Sequence, residues 1–215
     1  MNKELEKRSY QCEVRAEGEE GNIIIGRPIV YGSRTDLGYF DEVIEPGALD
    51  KTDLRDVRFL VNHDTSRIPL ARSRRNNGNS TMLLTVDEQG MSIRVELDTE
   101  NNAEARALYS AVQRGDISGM SFMFGVSDEE WVDAESEHPL RRIKEISSVV
   151  EVSAVTFPAY EATEIYTRCK EALENARLAL ESARQQRAKE VETSNKDTEN
   201  ALLLLKEQTK LLQLL

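Results

Sequence analysis

Thr81-Met82-Leu83-Leu84-Thr85-Val86 and Met91-Ser92-Ile93-Arg94-Val95-Glu96-Leu97 stand on either side of Asp87-Glu88-Gln89-Gly90. Two apolar runs joined by a short polar turn ending in glycine read as a β-hairpin. Working outward, other stretches carry the same signal. Ser9 to Ala16 alternates, with Tyr10, Cys12, Val14 and Ala16 on one face. Asn22 to Tyr31 is β-branched and apolar, with Gly26 and Pro28 marking a bulge or an edge. Val57 to Val61, Ile117 to Val126 and Val149 to Phe157 read as three more strands.

Helices are fewer. Asn101 to Arg114 carries an apolar stripe of Ala105, Leu108, Ala111 and Val112, and Gly115 stops it. Pro46-Gly47-Ala48-Leu49 suggests a short helix with proline at an early position. The fold class expected is α+β, a mostly antiparallel, barrel-like sheet with a few packed helices.

The composition changes near residue 168. All 11 glycines and all 5 prolines precede it. Residues 168–215 hold 9 basic and 8 acidic side chains, a net of +1, which leaves −12 for residues 1–167. Gly and Pro are disfavoured inside helices, so the tail is expected to be helical. Leu173, Ala176, Leu180 and Ala183 form one heptad-like stripe, and Ala201, Leu205, Gln208, Leu212 and Leu215 another. The expected organisation is a domain over residues 1–167 and a helical tail over 168–215 that meets a second copy or a scaffold segment, is removed by self-processing, or else folds back on the domain.

Several classes drop out on charge and composition. A net charge of −11 argues against a general nucleic-acid binder. No apolar run approaches the roughly 18 residues of a membrane span, and the charged first residues lack the apolar core of a signal peptide. Cys12 and Cys169 are two lone cysteines, which fits a reducing compartment. With two separated histidines and no phosphate-cradling glycine loop, neither a metal nor a cofactor is expected.

The two histidines narrow the search for chemistry. His63 follows the strand Val57–Val61, and on a period of two it shares a face with Phe59 and Val61. His138 lies in an acidic stretch ending in Pro139, which reads as an exposed loop. Ser121 sits between Met120 and Phe122, facing away from the aromatic side of its strand and towards a less crowded one. A serine hydroxyl needs a base within hydrogen-bond reach and a third group to orient that base. Glu151 interrupts an apolar strand, and a buried carboxylate needs a partner. Plainer readings stand beside these: a small strand serine, a satisfied histidine, a glutamate on a solvated edge. Should Glu151 be solvated, Glu145 and Asp64 are the next acids to consider. Arg72, Arg74 and Arg75 form a basic cluster that reads as a solvated turn, an oxyanion loop or a carboxylate-recognition site.

Four stretches in order resemble the prohead proteases of tailed bacteriophages, of the HK97-like family. They are Gly32 to Leu49 with its Pro46-Gly47-Ala48 turn, Asn62-His63-Asp64 followed by Pro69-Leu70-Ala71-Arg72, Gly119-Met120-Ser121-Phe122, and Glu151 to Ala159. The resemblance implies a serine endopeptidase with a fold like herpesvirus assembly proteases. It implies action inside the immature capsid in the host cytoplasm, on scaffold sequence of the major capsid protein and on the protease itself. It implies a catalytic set of His63, Ser121 and Glu151. Ala71 stands where the family pattern has glycine, and Met123 where a small residue is usual. The competing reading is a non-catalytic assembly protein, distinguished by whether Ser121 and His63 come within hydrogen-bond reach.

Overall fold

A computed structural model describes residues 5–11, 14–17, 22–156, 177–191, 193 and 196. The strands are β1 (Glu6–Gln11), β2 (Arg15–Glu17), β3 (Ile23–Val30), β4 (Thr35–Asp36), β5 (Asp41–Ile44), β6 (Asp56–Val61), β7 (Ala71–Arg74), β8 (Met82–Asp87) and β9 (Gly90–Glu96). Helix α1 (Ala103–Arg114) follows, then β10 (Gly119–Val132) and β11 (Leu140–Val155).

The expected hairpin is β8–β9, with Asp87 paired to Gly90. Gly90 is obligatory: its φ is +132°, and a Cβ there would lie 2.1 Å from the Ile29 carbonyl oxygen. This hairpin belongs to a four-stranded sheet in the order β2-β3-β9-β8. The β3–β9 register shifts between Gly26 and Ile29, where the sequence placed a bulge.

The second sheet has seven strands, in the order β1-β10-β11-β5-β4, with β6 on β11 and β7 on β6. At 16 residues, β11 is long enough to hold two neighbours. Its first part pairs with β5 and its last part with β6, both in parallel. The sheet is therefore mostly antiparallel, as expected, with two parallel pairings on β11. The apolar sides of β6, β10 and β11 share one core with β3, β8 and β9 through Phe59, Phe122, Val152, Ile24, Met82 and Ile93. Burying each such side chain contributes about 1.5–3 kcal/mol. Helix α1 buries Ala105, Leu108 and Val112. Asn102 caps its N-terminus by accepting from the Glu104 and Ala105 amides, and Gly115 closes its C-terminus in a left-handed conformation.

Three local expectations are corrected. Ser9 to Ala16 is not one strand: β1 and β2 lie in different sheets. Alternation reports a buried face, not the sheet a strand joins. Pro46 to Leu49 forms consecutive turns rather than a helix, with Gly47 at φ +85°. The basic stretch after Pro69 is not all loop, because Ala71–Arg74 is β7.

Residues 177–191 are helical. Leu180 is buried against Phe40, with Leu37 and Trp131 packed around them. Arg184 donates to the carbonyls of Ala134 and Ser136 at 2.9 and 3.0 Å. This part of the tail folds back on the first 167 residues. The second expected tail stripe, Ala201 to Leu215, lies outside the described residues, as do Cys12 and Cys169. Among the described residues, no helix is long and apolar enough to cross a membrane.

Candidate active site

Strand β6 delivers His63. Its ladder ends at Val61, and the next two residues, Asn62 and His63, take left-handed backbone angles of φ 52° and 58°. Non-glycine residues rarely do so, and here the surroundings hold them. The Asn62 amide donates to the Ala154 carbonyl at 2.9 Å. The Asn62 side chain accepts from the Thr156 amide and donates to the Thr156 hydroxyl. The His63 amide donates to Ser153 Oγ at 2.9 Å. This double left-handed turn corrects the period-of-two reading. Phe59 faces the core, whereas the His63 ring lies on the opposite side of the sheet with Ser121 and Glu151.

That side is fixed by strand register. Ser121 on β10 pairs with Ser153 on β11, and Glu151 pairs with Arg58 on β6. Paired residues project to the same face. Met120, Phe122 and Phe124 fill the core on the other face. His63 Nδ1 is 2.6 Å from Glu151 Oε2, and His63 Nε2 is 2.5 Å from Ser121 Oγ. Glu151 is 3% exposed, so the solvated-edge reading is excluded. Its other oxygen accepts from Ser153 Oγ. The acid at Nδ1 is neither Glu145, which contacts Lys51 and Ser127, nor Asp64, which bonds to Ser66.

The face is not open. Ser121 is fully buried, and its hydroxyl donates to the Arg8 carbonyl at 2.7 Å. Strand β1 runs antiparallel to β10 with Ser9 opposite Ser121. It is held there by a buried ionic network. Arg8 binds Glu42 through two bonds of 2.6 and 2.8 Å, and Arg141 bonds to Glu42 at 2.9 Å. Glu6 bonds to both arginines. Burial alone would raise the Glu6 carboxyl, but the Arg141 hydrogen bonds and the charges of Arg8 and Arg141 outweigh it and hold it down to about 2.

Other expectations resolve as follows. The Arg72, Arg74 and Arg75 amides already donate to Thr81 Oγ1, Ser80 Oγ and the Arg55 carbonyl, so they do not form an oxyanion loop. Ala71 has no positive φ, so replacing glycine there strains nothing. Met123 is half-buried and pairs with Glu151. His138 binds Asp41 at 3.1 Å on another part of the surface, with Asp36 nearby, and takes no part at Ser121.

Sequence reasoning missed Ser153, Asn62 and Arg8. Ser153 was findable, because it follows Glu151 at a spacing of two and so shares its face. Arg8 gave no signal, since its role depends on a strand pairing 113 residues away in sequence.

Comparison with known proteins identifies the family of the chain. Residues 10–177 match the family described as caudovirus prohead serine protease. The prohead protease of Enterobacteria phage HK97 is 32% identical over 124 residues, 56% of this chain and 49% of that protein. The chain thus spans about half the length of that curated relative. The bacteriophage T4 capsid assembly protease aligns over 74% of this chain and all of its own, with 11% identity and a TM-score of 0.44. The match of the family profile across residues 10–177, most of the chain, establishes that the chain belongs to the caudovirus prohead serine protease family.

Proposed function

We propose that this chain is a serine endopeptidase of phage head maturation, cutting scaffold sequence from the major capsid protein and processing itself. The observation that carries the reading is the His63 ring bridging Glu151 and Ser121 at 2.6 and 2.5 Å. A non-catalytic assembly protein would not require that reach.

The chemistry follows from the contacts. Glu151 accepts from Nδ1–H, which leaves Nε2 as the basic nitrogen. Nε2 takes the Ser121 proton as Oγ attacks the carbonyl carbon, then returns it to the departing amine. Water hydrolyses the acyl-enzyme by the same route. General-base assistance of this kind gives about 10²–10⁴-fold. Ser153 is a positioning residue: it binds the Glu151 carboxylate and the His63 amide together.

Ser121 has a single hydroxyl hydrogen. While the Arg8 carbonyl takes it, Nε2 has no proton to receive. A substrate therefore needs β1 to give way. The Ser121 hydroxyl touches the Arg8 carbonyl oxygen, so a shift of β1 that brings the Arg8 carbonyl carbon over Oγ would make the Arg8–Ser9 bond the first place to look for self-processing.

The finer fold reading, a barrel like that of herpesvirus assembly proteases, is supported by two seams. Strand β10 contacts β3 on one side, and β7 contacts β8 on the other, joining the two sheets. The helix over 177–191 supports a helical tail. Self-association through the parts of the tail that do not pack on the domain, and residence inside the prohead in the host cytoplasm, complete the proposal.

The test is co-expression with the cognate major capsid protein, followed by intact-mass analysis. Shortened capsid protein with the wild-type chain, and full-length capsid protein with Ser121→Ala, is the expected pair. Shortening by the Ser121→Ala chain would overturn the reading.

A further inference from the structure

We propose that the outer surface of β6 and β7 is an exosite for an acidic stretch of polypeptide, separate from the groups that cut. The inference deepens the protease reading and rests on it, since it concerns the chain that Ser121 would cleave. Arg55, Arg58, Arg72, Arg74 and Arg75 surround a cavity of about 580 Å³. Gathering five guanidinium groups is unexpected where residues 1–167 carry a net charge of −12. None of the five is buried, so packing does not account for them.

Their charge is only partly answered. Asp53 holds Arg55 at 2.6 and 2.8 Å. Asp56 holds Arg72 at 2.6 and 2.7 Å and is shared with Arg58 at 3.1 Å. Arg74 gives one N–H to the Asn79 carbonyl. Arg74 and Arg75 act on Asp56 and Asp53 only through space, and among the described residues neither makes a direct ion pair with a carboxylate. Five cations therefore meet two anions, and a cleft lined by one excess sign concentrates ligands of the other.

Strand register ties this cleft to the active face. Glu151, Arg58 and Arg72 are paired in one row across β11, β6 and β7. They emerge on the Ser121 side of the sheet. At about 4.8 Å between strands, the Arg72 backbone lies about 10 Å from that of Glu151. β1 lies beyond β10, on the far side of Ser121 from the cleft. The acidic stretch would thus lie several residues from the bond being cut, at about 3.3–3.6 Å per extended residue.

The occupant follows from chemistry. Guanidinium forks match carboxylates in a bidentate geometry, and arginines with free N–H groups can accept them. The cavity admits a few side chains and not a duplex. The acidic remainder of residues 1–167 would repel a long polyanion beyond the roughly 8 Å screening length, whereas a short run of Asp or Glu meets mainly the local positive field.

The experiment uses the full chain with Ser121→Ala, so that binding is read without turnover. The probe is a fluorescein-labelled ten-residue peptide alternating Glu and Ser, followed by anisotropy, with a ten-nucleotide oligo-dT as competitor. Binding that weakens with salt, falls at least tenfold in Arg74→Gln/Arg75→Gln, and is restored in Arg74→Lys/Arg75→Lys to within a few-fold supports the exosite. Arg74→Glu/Arg75→Glu, a second route to the same loss, should abolish it. No binding by the parent chain, equal binding by the Gln variant, or tighter binding of oligo-dT than of the peptide would overturn it. Peptide binding by the Ser121→Ala chain together with no cleavage of capsid protein by the wild-type chain would break the protease reading while leaving the exosite standing.

Discussion

The seven-stranded sheet buries two polar assemblies, and they are built differently. Around Ser121, four side chains form a chain of single hydrogen bonds: Ser121, His63, Glu151 and Ser153. Around Glu42, two arginines and three glutamates form a mesh in which each arginine bonds to more than one carboxylate. The first arrangement leaves the Ser121 proton one step from transfer once the Arg8 carbonyl releases it. The second satisfies nearly every donor and leaves nothing to react. On the proposed protease reading, the cluster that ends on Ser121 is the reactive one, and the cross-linked mesh around Glu42 is structural. Strand β1 touches both, through the Arg8 carbonyl on Ser121 and the Arg8 guanidinium on Glu42.

The largest effects should come from breaking the linear assembly. Ser121→Ala and His63→Ala should each abolish cleavage of the capsid protein, and the double variant should be little worse than either, because the members act as a unit. His138→Ala should cleave normally. Assays of shortened capsid protein over time check all four. Glu151→Gln should then lower kcat by about 10³–10⁴-fold with a smaller change in KM, since it spoils the orientation and charge behind His63 and not substrate binding. A change of only a few-fold would remove Glu151 from the assembly.

Breaking the mesh should cost stability instead. Glu42→Ala leaves Arg8 and Arg141 buried with one carboxylate fewer, and should destabilise by about 3–5 kcal/mol, read as a lower Tm. The smallest effect concerns pH. Glu6 is held at about 2, below its ordinary 4.5. A carboxyl lowered on folding contributes stability that is complete above about pH 4.5 and is lost as pH falls through about 2. Hydrogen exchange at the β1 amides should therefore speed up, relative to amides elsewhere in the sheet, across that window. Glu6→Gln should flatten the dependence.

The sequence shows these two assemblies unequally, and the reason is physical. The β8–β9 hairpin, helix α1 and its glycine stop were legible because their signals are local: alternation, a turn glycine, an apolar stripe ended by Gly115. Ser121 and Glu151 were legible as polar interruptions in apolar strands. His63 was found, but its face was assigned wrongly, because two left-handed residues reset the alternation. Glu42, Arg141 and Arg8 were not legible, because charged residues normally face water and nothing local marks them as buried. Strand β7 was hidden by the same rule, its arginines reading as a solvated turn. The parallel placement of β5 and β6 on β11 depends on pairings about a hundred residues apart, which no local pattern encodes.

The most direct test of the central claim, that the linear assembly ends on a working nucleophile, is active-site labelling. A preparation that cleaves capsid protein is treated with a fluorophosphonate, and its peptides are mapped by mass. The account predicts that cleavage stops, that the adduct is on Ser121, and that His63→Ala does not form it. Cleavage that continues with the probe present and Ser121 unmodified, or that stops with the adduct on another serine, would contradict it.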